Sequence, residues 1–160
     1  MRVVRHLLAI GLLPGMVAGV IPALIVSGDG LAPWPLVLLG GVVVAVGLAL
    51  IVQTVALFAT IGKGTLAPWD PTSRLVVRGP YRRVRNPMIS GVLCLLLGEA
   101  LLFGSPAVLV WFAFVFALNA VYFPLVEEPD LQQRFGADYE AYRAAVPRWL
   151  PRLRPWQPAP

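Results

Sequence analysis

Four apolar stretches, residues 7–26, 35–61, 88–103 and 106–126, decide what environment this chain can fold in. As helices rising 1.5 Å per residue they reach roughly 30, 40, 24 and 31 Å, against a bilayer hydrocarbon core of about 30 Å. The second has to tilt or protrude, and the third is short. Hydrophobic residues make up 58% of the 160 and charged residues only 13%, too apolar a balance for a soluble domain of this size. The expected fold is therefore an all-α integral membrane protein: one domain over residues 1–160, four transmembrane helices and a C-terminal amphipathic interfacial helix. The first stretch follows Arg2, Arg5 and His6 as a signal peptide would. It lacks a small-x-small cleavage pattern and three more apolar stretches follow, so it counts as a span.

Charge sets the orientation. Residues 27–34 and the turn at Gly104 and Ser105 carry no Lys or Arg, so all 13 basic residues fall on the other side. Basic residues stay cytoplasmic, which predicts a multi-pass protein with both termini in the cytoplasm and its net charge of +5 facing anionic headgroups. A nucleic-acid partner is excluded because the cations flank spans instead of covering a soluble face. Cys94 is the one cysteine and lies inside the third stretch, so it reads as a packing residue and no disulfide forms within the chain. No metal site is expected, since His6 and Cys94 have no ligand spacing between them.

Local signals fix the element ends. Gly11, Gly15 and Gly19 recur every four residues, a small-residue face for another helix of this chain or of a second copy, while Pro14 and Pro22 should kink the same span. Gln53 and Thr54 interrupt the second span and read as bonded to a neighbouring helix. Between the second and third spans lies the largest polar segment, residues 62–87, containing Gly62, Lys63, Gly64 and the interfacial anchor Trp69. Asn86 as a cap followed by Pro87 starts the third span, and Ser105 followed by Pro106 starts the fourth. With two residues between them, these spans form an antiparallel hairpin. Pro124 removes a helical hydrogen bond and helps splay Glu127 and Glu128 at the exit of the fourth span. Leu131, Phe135, Tyr139, Tyr142 and Val146 then mark one face of an amphipathic helix, or of two broken at Gly136, which reads as a lid over the hairpin mouth or as an interfacial tail. Residues 147–156, with three prolines, are expected to run extended along the membrane surface. Glu99, deep in the third span, either bonds to Gln53, Thr54 or Asn119 or faces a polar tunnel.

Two charge clusters meet at the open end of the hairpin. Arg78, Arg82, Arg83 and Arg85 lead into the third span, and Glu127 and Glu128 leave the fourth. Arg85 and Arg82, with the free N–H groups of the helix start, suit a carboxylate. Glu127 and Glu128 suit an ammonium or a ribose diol, and Tyr81, Met88 and Tyr139 suit a purine. S-adenosyl-L-methionine carries all of these groups. The bland alternatives are that the arginines only anchor the topology, or that the acids only clamp them. Hydrolytic and phosphoryl-transfer chemistry is a poor fit, because there is no Ser/His/Asp set and no phosphate-binding Walker loop.

Residues 73–91, together with Glu127-Glu128-Pro129-Asp130-Leu131, the stretch from Phe135 to Tyr142 and the stretch from Val146 to Pro151, closely resemble the superfamily of membrane methyltransferases that includes isoprenylcysteine carboxyl methyltransferases and phospholipid N-methyltransferases. The resemblance covers about the last hundred residues. It implies a helical membrane fold, bound S-adenosylmethionine and methyl transfer to a lipophilic or lipid-borne acceptor at the cytoplasmic face. Position by position it places Ser73, Arg74, Leu75, Val76, Tyr81, Arg85, Asn86, Pro87, Met88, Ile89, Gly91, Glu127, Glu128 and Tyr139 on cofactor-binding segments, within residues 73–91 and 123–150. Glu127, Glu128 and Arg85 are the candidate catalytic residues. The chain departs from the family's common pattern at Asn86 and Ile89, where His and Tyr are usual, and from the isoprenylcysteine branch at Phe123, where that branch has Arg. Asn86-Pro87-Met88 and Glu127-Glu128-Pro129 are similar to the phospholipid branch. Membrane lipids are the expected partners, and whether the acceptor is an amine or a carboxylate stays open. The competing reading is a non-catalytic membrane scaffold or transporter subunit that keeps the fold.

Overall fold

Predominantly apolar stretches of 17 or more residues satisfy their backbone groups within one segment only as helices, and helices are what form. The computed structural model describes residues 11–26, 30–62 and 74–157. Among them lie α1 (Gly11–Val20), α2 (Ile21–Ile25), α3 (Trp34–Leu57), α4 (Pro87–Phe103), α5 (Pro106–Tyr122) and α6 (Glu128–Ala145), and no strand. A wide π turn, Phe58–Gly62, ends α3, and another, Phe123–Glu127, joins α5 to α6. Arg2, Arg5, His6, Lys63, Gly64, Trp69 and Ser73 fall outside the described residues.

Two helices, Trp34–Ile61 and Pro106–Ala145, the second bent at Gly136, are long and apolar enough to cross a membrane, while Pro14–Ile25 and Pro87–Phe103 are shorter. Only 17% of the apolar window in each long helix is buried, so these are not the core helices of a soluble protein. Leu38, Val42 and Val52 on α3 and Val110, Phe114 and Leu118 on α5 face outward. The short α4 is instead central, with Val92, Leu93, Leu96 and Ala100 buried between its neighbours.

Glycine sets how closely α3 approaches α4. A Cβ on Gly40 would lie 2.7 Å from the carbonyl oxygen of Gly98, and one on Gly47 2.7 Å from that of Gly91. The pairs match in opposite order, so the two helices run antiparallel with their backbones nearly touching. Cys94 belongs to this seam, its Cβ 3.1 Å from the same point on Gly47. Of the small-residue face expected on the first span, Gly19 has nothing within 4 Å of a Cβ placed on it. The expected kink is present: Ala18 leaves helical geometry (φ −114°, ψ 17°) four residues before Pro22, whose ring excludes the carbonyl there. Trp111 on α5 ties this helix down by donating its indole N–H to the Val17 carbonyl at 2.9 Å.

The element ends follow the sequence signals with one correction. Pro87 and Pro106 open α4 and α5, Ser105 Oγ accepts the Val108 N–H at 3.5 Å, and Gly104 closes α4 in the left-handed conformation. Asn86 makes no side-chain cap. Its carbonyl accepts from the Ser90 N–H and hydroxyl at 3.0 and 2.9 Å, and its amide turns elsewhere. Glu99 makes none of the expected bonds: its Oε2 and Thr54 Oγ1 are buried without hydrogen-bond partners among the described residues, and the Asn119 amide donates to the Val115 carbonyl.

Candidate active site

The arginines ahead of α4 divide between two tasks. Gly79 takes φ 55° to turn the chain from extended Arg78 into one 3₁₀ turn, Gly79–Arg82. Beyond it, the Arg82 Nε–H donates to the Trp156 carbonyl at 2.6 Å and Arg83 Nη1 to the Leu153 carbonyl at 3.0 Å. Backbone N–H groups of Trp156, Arg152 and Arg85 donate to the carbonyls of Arg82, Arg83 and Pro147 at 2.8, 3.0 and 2.9 Å, in antiparallel order. Residues 147–156 are thus not the extended run expected but a strap bent at 148–150 and 153–154 and laid against the arginine segment, and Arg82 holds the strap rather than sharing a carboxylate site with Arg85.

Arg85 turns inward. Its Nη1 donates to Glu128 Oε1 at 2.8 Å and, at 3.4 Å, to the Tyr139 hydroxyl, while its Nε–H is buried with no partner. The same Glu128 oxygen accepts from Arg148 Nε at 2.7 Å. Arg143 Nε lies 3.5 Å from the other oxygen, an ion pair too long to be a good hydrogen bond. Glu128 is 3% exposed and faces three guanidinium groups, so it is the centre of a clamp joining the start of α4, α6 and the strap.

Its neighbour points elsewhere. Pro124 lacks an N–H and excludes the carbonyl four residues back, which opens α5 into the π turn. Successive helical residues diverge by about 100°, so Glu127 and Glu128 leave that turn toward different surroundings. Glu127 lines a cavity of about 410 Å³ enclosed by α1, the end of α3, the start of α4, α5 and α6, a volume within the usual range for small-molecule sites. It lies past the spanning segment 106–126 and has no hydrogen-bond or ion-pair partner among the described residues. Burial first, then the charges of Asp130 and Glu128, push its pKa from 4.5 to about 7.

Leu75, Val76, Tyr81, Arg85, Asn86, Met88, Ile89, Glu127 and Tyr139 all line this cavity. The structure therefore brings together Arg85 and Glu127, which the hairpin argument requires. Other expected residues lie apart: Pro87 is buried in the first turn of α4, Gly91 faces Gly47 across the seam, Arg74 is exposed outside the lining, and Glu128 serves the arginine clamp. The Asn86 amide that does not cap the helix is buried with Nδ2 unpaired. Arg85 Nε and Asn86 Nδ2 are thus two donors lacking an acceptor on residues that line the same wall.

The other half of the cavity is apolar, and the sequence reading missed it. Trp111, Phe114, Val115, Leu118 and Tyr122 wall it from α5, Val17 from α1 and Phe58 from the turn after α3. Their helical spacing on α5 was readable, and Asn119, on the same stripe, marks the face. Phe58 is held against Tyr81 with ring centroids 5.8 Å apart. Leu131, Phe135, Tyr139 and Tyr142 of α6 close one side, bent at Gly136 (φ 52°, ψ −128°), and the Tyr142 hydroxyl donates to the Tyr81 carbonyl at 2.7 Å. Phe114 and Leu118 are 54% and 56% exposed although they line the cavity, so this half opens sideways between helices.

No curated protein and no solved structure matches the chain. A family model described as phospholipid methyltransferase matches residues 36–138, from early α3 to the middle of α6. That stretch includes the α3–α4 seam, Arg85, Asn86 and Glu127, and it begins well before the segments that carried the resemblance in the sequence. Covering well over half of the 160 residues and holding most of the cavity wall, the match means that this chain is a membrane protein of the phospholipid methyltransferase family.

Proposed function

We propose that the cavity binds S-adenosylmethionine at its polar end and a lipid-borne methyl acceptor at its apolar end. The observation that carries this reading is the pair of buried, unpaired donors, Arg85 Nε and Asn86 Nδ2, on residues sharing one cavity with the unpartnered Glu127. These residues fit the donor. Arg85 and Asn86 suit its carboxylate, Glu127 its ammonium or ribose diol, and Tyr81, Met88 and Tyr139 its purine. When bound, S-adenosylmethionine supplies a methyl carbon that gains a bond to the acceptor's lone pair as its bond to sulfur breaks, the electron pair passing to sulfur.

What the protein adds is alignment and a dry site. Arg85, held by Glu128, fixes one end of the cavity, and α6 covers the polar half. The sideways opening at Phe114 and Leu118 admits an apolar molecule from the bilayer. A carboxylate or thiolate acceptor needs no base, whereas an amine has to shed a proton, which the Glu127 carboxylate is placed to take. In this reading α1 with α2, and α3, α4 and α5, are four spans, α6 and the strap lie at the cytoplasmic interface, and both termini are cytoplasmic.

Calorimetric titration of the detergent-solubilised protein with S-adenosylmethionine and its demethylated product tests the site. Both are expected to bind, with affinity lost in Glu127→Gln and in Arg85→Met. Undiminished affinity in both variants would show that the donor lodges elsewhere. Methyl-labelled donor incubated with lipid extracts then separates acceptors by whether the incorporated label survives mild base.

The raised pKa of Glu127 gives binding a pH signature. Near pH 7 the free carboxyl is half ionised, and a cationic ligand draws it toward the ionised form. Affinity for S-adenosylmethionine is therefore expected to be flat above about pH 7 and to fall as pH drops below it, with proton release on binding. For stability the sign is opposite. Between pH 4.5 and about 7 the folded state holds this proton more tightly than the unfolded one, so the contribution of Glu127 declines as pH rises across that window and is constant above it. Titrations at pH 6 and 8 in buffers of different ionisation heat read the proton release.

A further inference from the structure

Asn119 is the carboxamide that α5 presents to the apolar half of the cavity, one turn before Tyr122, and the donor-binding reading gives it no task. Its amide is already committed: Nδ2 donates to the Val115 carbonyl at 2.8 Å, one turn back on the same helix. That bond fixes which way the carboxamide points, since only the nitrogen can donate to a carbonyl. Oδ1 is left without a partner among the described residues. It is an acceptor with nothing to accept from, on a wall otherwise made by Trp111, Phe114, Val115, Leu118 and Tyr122.

The cavity is therefore polarised. The start of α4 carries unpaired buried donors, Arg85 Nε and Asn86 Nδ2, on residues that line the cavity. The α5 side offers acceptors, Asn119 Oδ1 and, two turns further along the same rod, the Glu127 carboxylate. A carboxylate acceptor would face unpaired lone pairs on both. An N–H group satisfies them, and an acceptor that a bound substrate covers without pairing costs enough to discriminate between substrates.

We propose that Asn119 is a specificity-determining residue for the methyl acceptor, its Oδ1 accepting a hydrogen bond from the N–H of a lipid-borne amine and orienting the nitrogen lone pair into the cavity. This rests on the methyl-transfer reading of the same site. A neutral primary amine has N–H bonds to give, and an N,N-dimethylated amine poised to react has none. Asn119 thus favours the early transfers to a nitrogen over the last one.

The test uses full-length protein in mixed micelles containing either a phospholipid with a primary-amine headgroup or its N,N-dimethyl counterpart, with methyl-labelled donor. In Asn119→Leu, KM for the primary amine is expected to rise about tenfold relative to the dimethyl lipid. Affinity for the demethylated donor product should stay at the wild-type value. Asn119→Asp keeps an acceptor oxygen and should restore the wild-type ratio. Because the readout is a ratio, it is insensitive to how much variant protein folds. Equal loss on both lipids in Asn119→Leu would assign the side chain to packing through Val115 and overturn the proposal. Transfer to neither amine lipid by the wild type would also overturn it. Donor-product binding retained in that case would leave the donor site standing, and its loss would remove the methyl-transfer reading as well.

Discussion

Glu128→Gln will lower the thermal unfolding midpoint by about 10 °C in detergent, while Glu127→Gln, one residue away, will leave it unchanged or slightly raised. The difference comes from what each carboxylate faces. The Glu128 side chain is 4% exposed and takes hydrogen bonds from Arg85 and Arg148, whose side chains are 11% and 25% exposed. Neutralising it strands two largely buried guanidinium groups, and breaking such a pair by removing one partner costs about 3–5 kcal/mol. Arg143, 53% exposed and 3.5 Å away, adds little. Glu127 has no cation beside it, so its ionised form is already disfavoured, and an uncharged isostere removes no attraction. The readouts should cross over: Glu128→Gln loses stability first and donor affinity as a consequence, and Glu127→Gln loses donor affinity alone. Tryptophan fluorescence on heating and calorimetric titration of the same samples give both numbers. An unfolding midpoint for Glu128→Gln equal to the wild type would mean that the arginine clamp does not hold these elements together.

The two glutamates also show where sequence reading stops. That an acidic pair closes the fourth apolar stretch and a run of arginines opens the third was visible, because charge in a chain this apolar has few reasons to be there. The hairpin that brings them together followed from Gly104, Ser105 and Pro106. Which glutamate enters the cavity was not visible, since it depends on helical phase at a π turn, and a change of one residue per turn rotates everything after it. The partner that claims Glu128 most closely besides Arg85 is Arg148, twenty positions later, beyond the bend at Gly136. The apolar half of the cavity was hidden for a different reason. Phe114 and Leu118 line a cavity and also face outward, and a lipid-facing residue and a lipid-binding one have the same composition. Asn86 was expected as a cap on propensity alone, but its backbone carbonyl serves the helix while its amide is freed for the cavity.

The glycines of α3 were passed over in the sequence because Gly is common among apolar membrane residues, yet they carry the second large effect. Gly40 and Gly41 are adjacent on one helix, and replacing either with Leu gains about 1 kcal/mol of helix propensity. Their surroundings differ completely. A Cβ on Gly40 meets the Gly98 carbonyl oxygen at 2.7 Å and the Leu102 amide nitrogen at 2.9 Å, and one on Gly41 meets nothing within 4 Å. Two of the three nearest atoms facing Gly40 are backbone and cannot swing aside, the third being the Leu102 Cγ at 2.9 Å, so α3 and α4 have to separate. Overpacking of this kind costs about 3 kcal/mol, and here it also loosens the helix that carries Arg85 and Asn86 at its start. Gly40→Leu is therefore expected to give little folded protein and no donor binding, and Gly47→Leu, against the Gly91 carbonyl at 2.7 Å, the same. Gly41→Leu should be as stable as the wild type or more so. Size-exclusion profiles and unfolding midpoints of the three variants decide the matter. Equal behaviour of Gly40→Leu and Gly41→Leu would place the contact between α3 and α4 on another face, and with it the wall of the cavity that α4 provides.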